Sequence, residues 1–319
     1  MEKKDLRIVY MGTPDFAVPT LERIISEGYN VVGVITMPDK PVGRHQSQLQ
    51  ASPVKECALK HGIPVLQPEK LKDENFLEEL RSLKADLQIV VAFRMLPEVV
   101  WNMPRLGTFN LHAALLPQYR GAAPINWAII NGDTETGITT FFLDEQIDTG
   151  RIILQEHTPI TIEDCAETIH DKLMMQGAEL VVKTVRLIES GQAEATDQNL
   201  FITEEPLRSA PKIFKDTCRI HWQEHSLKSA YDFIRGLSPY PAAWTPILAN
   251  GKETEMKIYR TSMLPDNSSD GNVELLSDGK TYLRISLPGG YLSLEEVQLS
   301  GKKRMPITDL LRGTNLSLL

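Results

Sequence analysis

The residues best suited to chemistry lie between Gly107 and Gly150. Asn110, Leu111 and His112 end a β-forming run, and alternation along a strand puts Asn110 and His112 on one face. The turn that follows, from Ala113 and Ala114 through Pro117 to Gly121, Ala122 and Ala123, is built of small residues and leaves room for a ligand. Further on, the run Gly137–Leu143 feeds an acidic loop with Asp144, Glu145 and Asp148, closed by Thr149 and Gly150. An amide, an imidazole and a carboxylate converging at strand ends suit acyl transfer. The first two can stabilise an oxyanion, while the carboxylate fixes the imidazole and favours its charged form. The same side chains also suit a buried strand end whose polar groups are bonded for structure. Spacing alone leaves both readings open.

Other motifs carry less. The first strand–helix turn, Met11-Gly12-Thr13-Pro14-Asp15-Phe16, could hold a phosphate on a helix N-terminus. It lacks the three-glycine dinucleotide fingerprint and the acidic residue expected after strand two, which argues against nicotinamide or flavin binding. Met37 to Arg44 is rich in Pro and Gly, and the connection from there to Ser52 is long enough for a functional lid. His221-Trp222-Gln223-Glu224-His225 matches the inverted zinc-protease pattern. That pattern needs both histidines on a helix, whereas Arg219–Trp222 reads as an edge strand and Ser226 as the cap of the next helix. No metal site is expected there.

The elements that must position these residues alternate. Leu6–Met11, Val31–Thr36 and Asp86–Phe93 read as strands, with helical spacing over Phe16–Glu27, Pro53–His61 and Glu74–Ser82. Ser52 followed by Pro53 is a helix start. Such alternation predicts a Rossmann-like, doubly wound and mostly parallel sheet, with ligands beyond the carboxyl ends of its strands. The pattern breaks into polar, Pro-containing sequence over 191–207, read as a linker. Beyond it come a helix near Leu227–Gly236 and short strands at Trp244–Leu248, Glu255–Tyr259, Val273–Leu276, Tyr282–Ser286 and Tyr291–Gln298. These predict a smaller C-terminal β-barrel of OB-like form. The expected domains are therefore 1–190 and 208–319.

Composition sets the outer limits. A chain of 319 residues with 42% hydrophobic and 24% charged residues can build two cores and has no disordered signature. No apolar run is long enough for a membrane span, and Ile8–Met11 is too short for a signal-peptide core. Three widely separated cysteines suit reduced thiols in a cytoplasmic protein. The net charge of −8 disfavours indiscriminate nucleic-acid binding. Residues 208–319, however, hold 15 Lys and Arg against 12 Asp and Glu, whereas 1–207 hold 19 against 30. The C-terminal part can therefore accept a polyanion.

The motif Asn110-x-His112-x-x-Leu115-Leu116-Pro117, with the later Asp148-Thr149-Gly150, resembles the signature of the 10-formyltetrahydrofolate-dependent formyltransferases. MGTPDFAVPTLERI, PDKPVGR, RGAAPINWAIINGDTETGIT and LSPYPAAWT (Leu237–Thr245) resemble the members of that family that formylate methionyl-tRNA. The match runs over nearly the whole chain. Three positions depart from the family pattern: Ala114 in place of Ser, Gln146 in place of Gly, and a lysine-poor stretch from His45 to Gln50. The resemblance implies Asn110, His112 and Asp148 as catalytic residues. It implies a folate pocket from Ala114, Leu115, Leu116, Pro117, Val91, Phe93 and Asp144. It also implies 10-formyltetrahydrofolate as donor, no metal, charged initiator methionyl-tRNA as acceptor, and a monomer without a membrane or a stable protein partner. Arg44, Lys212, Lys215, Arg235, Lys302, Lys303 and Arg304 are the candidates for gripping tRNA, with 1–190 catalytic and 208–319 binding the nucleic acid.

Overall fold

The structure, a computed structural model, describes residues 5–42, 48–266, 268 and 271–319. Its first sheet has seven strands in the order Ile152–Pro159, Glu135–Phe142, Thr108–His112, Leu87–Val91, Arg7–Gly12, Asn30–Ile35 and Val65–Leu66. The five from Thr108–His112 to Val65–Leu66 pair in parallel. Glu135–Phe142 joins antiparallel to Thr108–His112. This is the expected Rossmann-like arrangement, a mixed sheet dominated by parallel strands. The central strand Leu87–Val91 is buried at every position and its neighbours Arg7–Gly12 and Asn30–Ile35 at most of theirs, as a sheet covered on both faces requires.

Helix starts follow local chemistry. The Ser52 hydroxyl accepts from Lys55 N at 3.1 Å, and the Asp73 carboxylate accepts from Phe76 N at 3.2 Å. Beyond the elements expected from the sequence come the strand Ile152–Pro159 and the 24-residue helix Ala166–Glu189, with the shorter Val65–Leu66, Glu98–Trp101 and Pro124–Ile130. Ala166–Glu189 buries Ile169, Leu173, Leu180, Val181, Val185 and Ile188, apolar residues that recur at helical spacing. The long connection after the second strand contributes two short strands among its described residues. Lys40–Val42 and Gln48–Gln50 pair as an antiparallel ribbon, rooted where Lys55 Nζ meets Asp39 at 2.7 Å. Arg44 lies outside the described residues.

The second large sheet is antiparallel in every recorded pairing and nearly closed, like a barrel. Its order is Leu275–Ser277, Leu283–Leu287, Gly290–Leu299, Lys252–Pro265, Ala243–Ala249 and Leu316–Leu318, with Met305–Pro306 pairing to Gly290–Leu299. Leu227–Gly236 is capped by a Ser226/Ser229 box and joins a core containing Trp222, Phe233, Ile258 and Leu294. The expected edge strand at Arg219–Trp222 is instead a single bridge to Trp244 followed by a 3-10 turn at Trp222–Glu224.

The chain forms two compact units, and no single cut separates them. One holds Met1–Gly121, Gly137–Thr158 and His170–Ser209; the other holds Ala122–Thr136, Pro159–Ile169 and Ala210–Leu319. Within the second unit, Pro124–Ile130 packs on Leu227–Gly236. A Cβ at Gly236 would lie 2.8 Å from the Ile130 side chain and 3.0 Å from its backbone nitrogen, so glycine permits the close approach. No helix among the described residues is long and apolar enough to cross a membrane.

Candidate active site

Thr108–His112 lies between Leu87–Val91 and Glu135–Phe142, and the register sets Asn110 beside Val90 and Phe141, and His112 beside Thr139. Asn110 Oδ1 is buried and has no hydrogen-bond partner among the described residues. A buried polar atom left unpaired costs stability, so such an atom points to a ligand. His112 is 7% exposed. Its Nε2 lies 2.8 Å from the Tyr119 carbonyl oxygen. Because a carbonyl can only accept, Nε2 carries the hydrogen and Nδ1 is the nitrogen left for proton exchange. Nδ1 faces Asp148 Oδ2 at 3.8 Å. The structure thus brings the three residues of the motif together.

Asp148 is held in place by residues outside the motif. Its strand runs antiparallel and leaves beside Phe109, so the acidic loop must fold back to reach His112. Asp148 adopts a left-handed backbone with φ of +55°. Its Oδ2 accepts the Gly121 N–H at 2.9 Å. Gln198 Nε2 donates to the carbonyls of Asp148 at 2.9 Å and Gly150 at 2.8 Å. Gln198 Oε1 in turn accepts from Arg120 Nε at 3.1 Å and Nη2 at 2.7 Å. Gln198 is 2% exposed, although it belongs to the stretch read as linker. At Gly150 the loop returns so closely that a Cβ would sit 1.6 Å from the Phe142 carbonyl oxygen.

The turn from Ala113 to Pro117 is anchored by Thr139 and Gln155. The Thr139 hydroxyl donates to Ala114 O at 2.6 Å and accepts from Leu116 N at 3.2 Å and Gln155 Nε2 at 2.9 Å. Gln155 Nε2 also reaches Leu116 O at 2.8 Å. Leu116 packs with Phe141, Ile152 and Leu143, and Leu143 also touches the cluster that contains Phe93 and Val90. Leu143 therefore links Leu116 to the cluster that Phe93 borders. Val91 and Pro117 are buried and Leu115 half-buried beside Gly137. Asp144 is exposed and shapes its own loop, its Oδ1 accepting from Gln146 N at 3.1 Å and Thr149 Oγ1 at 2.7 Å.

The basic candidates divide. Lys212, Lys302 and Lys303 are exposed. Arg304 is engaged by Glu296 at 2.7 Å through two nitrogens and lies over the Tyr259 ring at 4.3 Å. Arg235 is not available to a polyanion, contrary to expectation. It is 7% exposed, pairs with Asp232 at 2.8 Å, and donates to Thr161 O at 2.8 Å and Asp164 O at 2.7 Å. Helical spacing of Asp232 and Arg235 turns the guanidinium inward to satisfy these carbonyls.

Comparison with known proteins bears on what this arrangement does. Residues 6–185 match the family model described as formyl transferase, and residues 212–315 match the formyl transferase C-terminal domain. The methionyl-tRNA formyltransferase of Parabacteroides distasonis is 62% identical over 98% of this chain and 97% of its own length. That of Bacteroides fragilis is 58% identical over 99% of this chain and 98% of its own. Among solved structures, an N-formyltransferase from Helicobacter canadensis in complex with folinic acid and dTDP-3-aminofucose superposes with a TM-score of 0.66. It is 21% identical, covering 96% of this chain and all of that one, which speaks for the fold. The protein belongs to the formyl transferase family.

Proposed function

We propose that this protein transfers a formyl group from 10-formyltetrahydrofolate to the α-amine of methionine esterified to initiator tRNA. Relatives named for formylating methionyl-tRNA match almost end to end. The observation that carries the chemistry is the pairing of an unbonded, buried Asn110 Oδ1 with a His112 whose Nδ1 faces Asp148. Asn110 pairs with Val90 and Phe141 of the apolar clusters that Phe93 and Leu116 belong to or border, which suits a folate whose pterin is held by apolar side chains and whose N10 carries the polar formyl group.

The bound donor supplies the formyl carbon and a nitrogen leaving group. Asn110 serves both partners: its N–H groups face the oxygen that gains negative charge, and its Oδ1 accepts an N–H of the incoming amine and so aims the nitrogen lone pair. His112, fixed through Nε2 by Tyr119, presents Nδ1 to take the proton lost by the amine and return it to the leaving nitrogen. Asp148 sets a negative charge opposite that nitrogen while it is protonated. Gln198 and Gly121 keep Asp148 there.

The test supplies labelled formyl donor with charged initiator tRNA in one reaction and glycinamide ribonucleotide in another. Label should appear on the aminoacyl-tRNA; label confined to the ribonucleotide would overturn the reading. Asn110→Ala, His112→Ala and Asp148→Ala should each lower kcat by roughly 10²- to 10⁴-fold with folate binding retained. Near-normal turnover in His112→Ala would remove it from the mechanism.

A further inference from the structure

Phe214 is left unused by this chemistry, and its surroundings are unusual. The preceding Ile213 packs against the core of the C-terminal unit, yet Phe214 is 61% exposed. It sits on a braced turn. Phe214 N donates to Thr217 Oγ1 at 3.3 Å, and its carbonyl accepts the thiol of Cys218, itself 1% exposed, at 3.3 Å. The Trp244 indole N–H donates to Lys215 O at 2.8 Å. A buried root therefore holds the ring outward, forfeiting the free energy its burial would return.

One cation lies over its ring, and two more lie over Trp244, whose indole binds the same turn. Lys212 Nζ lies 5.5 Å from the Phe214 ring centroid. Lys215 Nζ and the Arg219 guanidinium lie 5.1 and 5.7 Å from that of Trp244. Lys257 is near enough to Cys218 to draw its thiol pKa down against the upward push of burial. The opposing carboxylates are Glu255, paired with Lys215 at 2.7 Å, and Asp216 in the turn itself. In a chain of net charge −8, this segment is locally positive.

An exposed, rigidly presented aromatic ring with a lysine against it, on a turn that carries further cations, suits a ligand with both negative charge and flat apolar faces, which is unpaired RNA. An acidic peptide would satisfy the cations and leave the ring in water. We propose that Phe214 is a stacking platform for an unpaired base of the tRNA, with Lys212, Lys215 and Arg219 taking the flanking phosphates. This assignment rests on the proposed role of tRNA as acceptor.

The experiment uses the full chain and measures binding of charged initiator tRNA across a salt series, beside a thermal melt. Phe214→Ala should weaken binding by about 5- to 100-fold without changing the salt slope, since stacking releases few counterions. Phe214→Trp should bind as wild type does. Lys212→Ala combined with Arg219→Ala should flatten the log–log slope by roughly 0.7 to 0.9 per phosphate lost. Wild-type affinity in Phe214→Ala would overturn the proposal. So would wild-type affinity in Phe214→Leu, which keeps the bulk and loses the ring, or competition by polyglutamate as strong as by single-stranded RNA. If the wild type fails to formylate methionyl-tRNA, the acceptor reading falls by itself. An unpaired RNA oligonucleotide then still judges the platform by whether Phe214→Ala loses it.

Discussion

Replacing Gln198 with alanine removes a brace that touches no substrate. Its amide nitrogen holds the carbonyls of Asp148 and Gly150, and its oxygen takes two bonds from Arg120. Two neutral bonds and the forked, charge-assisted contact made by two Arg120 nitrogens are lost at a residue 2% exposed. At about 1 kcal/mol for each neutral bond and somewhat more for the charged one, the folded state loses about 3 kcal/mol. The kinetic effect is separable, because Asp148 occupies a left-handed backbone position that its neighbours must maintain. A drift of about 1 Å in the carboxylate is enough to cost about 100-fold in rate. Single-turnover formyl transfer at saturating substrates, donor affinity and thermal melting read the three quantities apart. The expected pattern is a kcat about 100-fold down with donor affinity nearly unchanged. Gln198→Glu should be no better, since it keeps Arg120 while turning an oxygen toward two carbonyl oxygens. A lower melting temperature with kcat within about twofold of wild type would show that Asp148 holds its place unaided, and the reasoning would be refuted.

Thr139→Val keeps shape while removing a hydroxyl that serves Ala114, Leu116 and Gln155; it should cost about 2–4 kcal/mol in denaturant titration and weaken donor binding. Unaltered donor affinity would separate the turn from the pocket. Arg235→Met breaks a buried pair and should lower stability by about 3 kcal/mol while leaving the salt dependence of tRNA binding as it is; a flatter salt slope would return Arg235 to the phosphate contacts. Burial, aided by Glu22, raises the Cys57 thiol from 9.0 to about 11. A raised folded-state value gives stability that is complete below pH 9.0 and disappears as pH climbs through about 11. Cys57→Ala should flatten that alkaline decline in melting temperature, and an unchanged decline would place its cause elsewhere.

The residues that act through type and short-range spacing were legible in the sequence. Asn110 and His112 share a face because strands alternate, and their family resemblance led to Asp148. The parallel sheet followed from runs such as DLQIVVAF. What sequence did not yield was support arriving from far along the chain. Gln198 looks like any polar residue in a Pro-containing stretch, and only the backbone pairing of Ile152 with Thr196 brings it beside Asp148. Thr139 was hidden for the opposite reason, as one more β-branched residue in a buried strand. Arg235 misled because charge was counted without orientation, and its inward bonds depend on carbonyls 71 and 74 positions earlier.

The interleaving of the two units bears on how the chain is made. During synthesis Pro124–Ile130 leaves the ribosome roughly a hundred residues before Leu227–Gly236, the helix it packs on. Asn126 and Trp127 meanwhile lack the carbonyls of Gly236 and Pro211, which they reach at 2.7 and 2.8 Å in the finished molecule. The nascent first half therefore carries an unfinished surface that closes only when the second half arrives. Neither half is an interchangeable module: a gene broken near residue 191 would express a piece with that helix uncovered. Supplying residues 192–319 as a separate polypeptide should rescue solubility where dilution of the first piece alone does not.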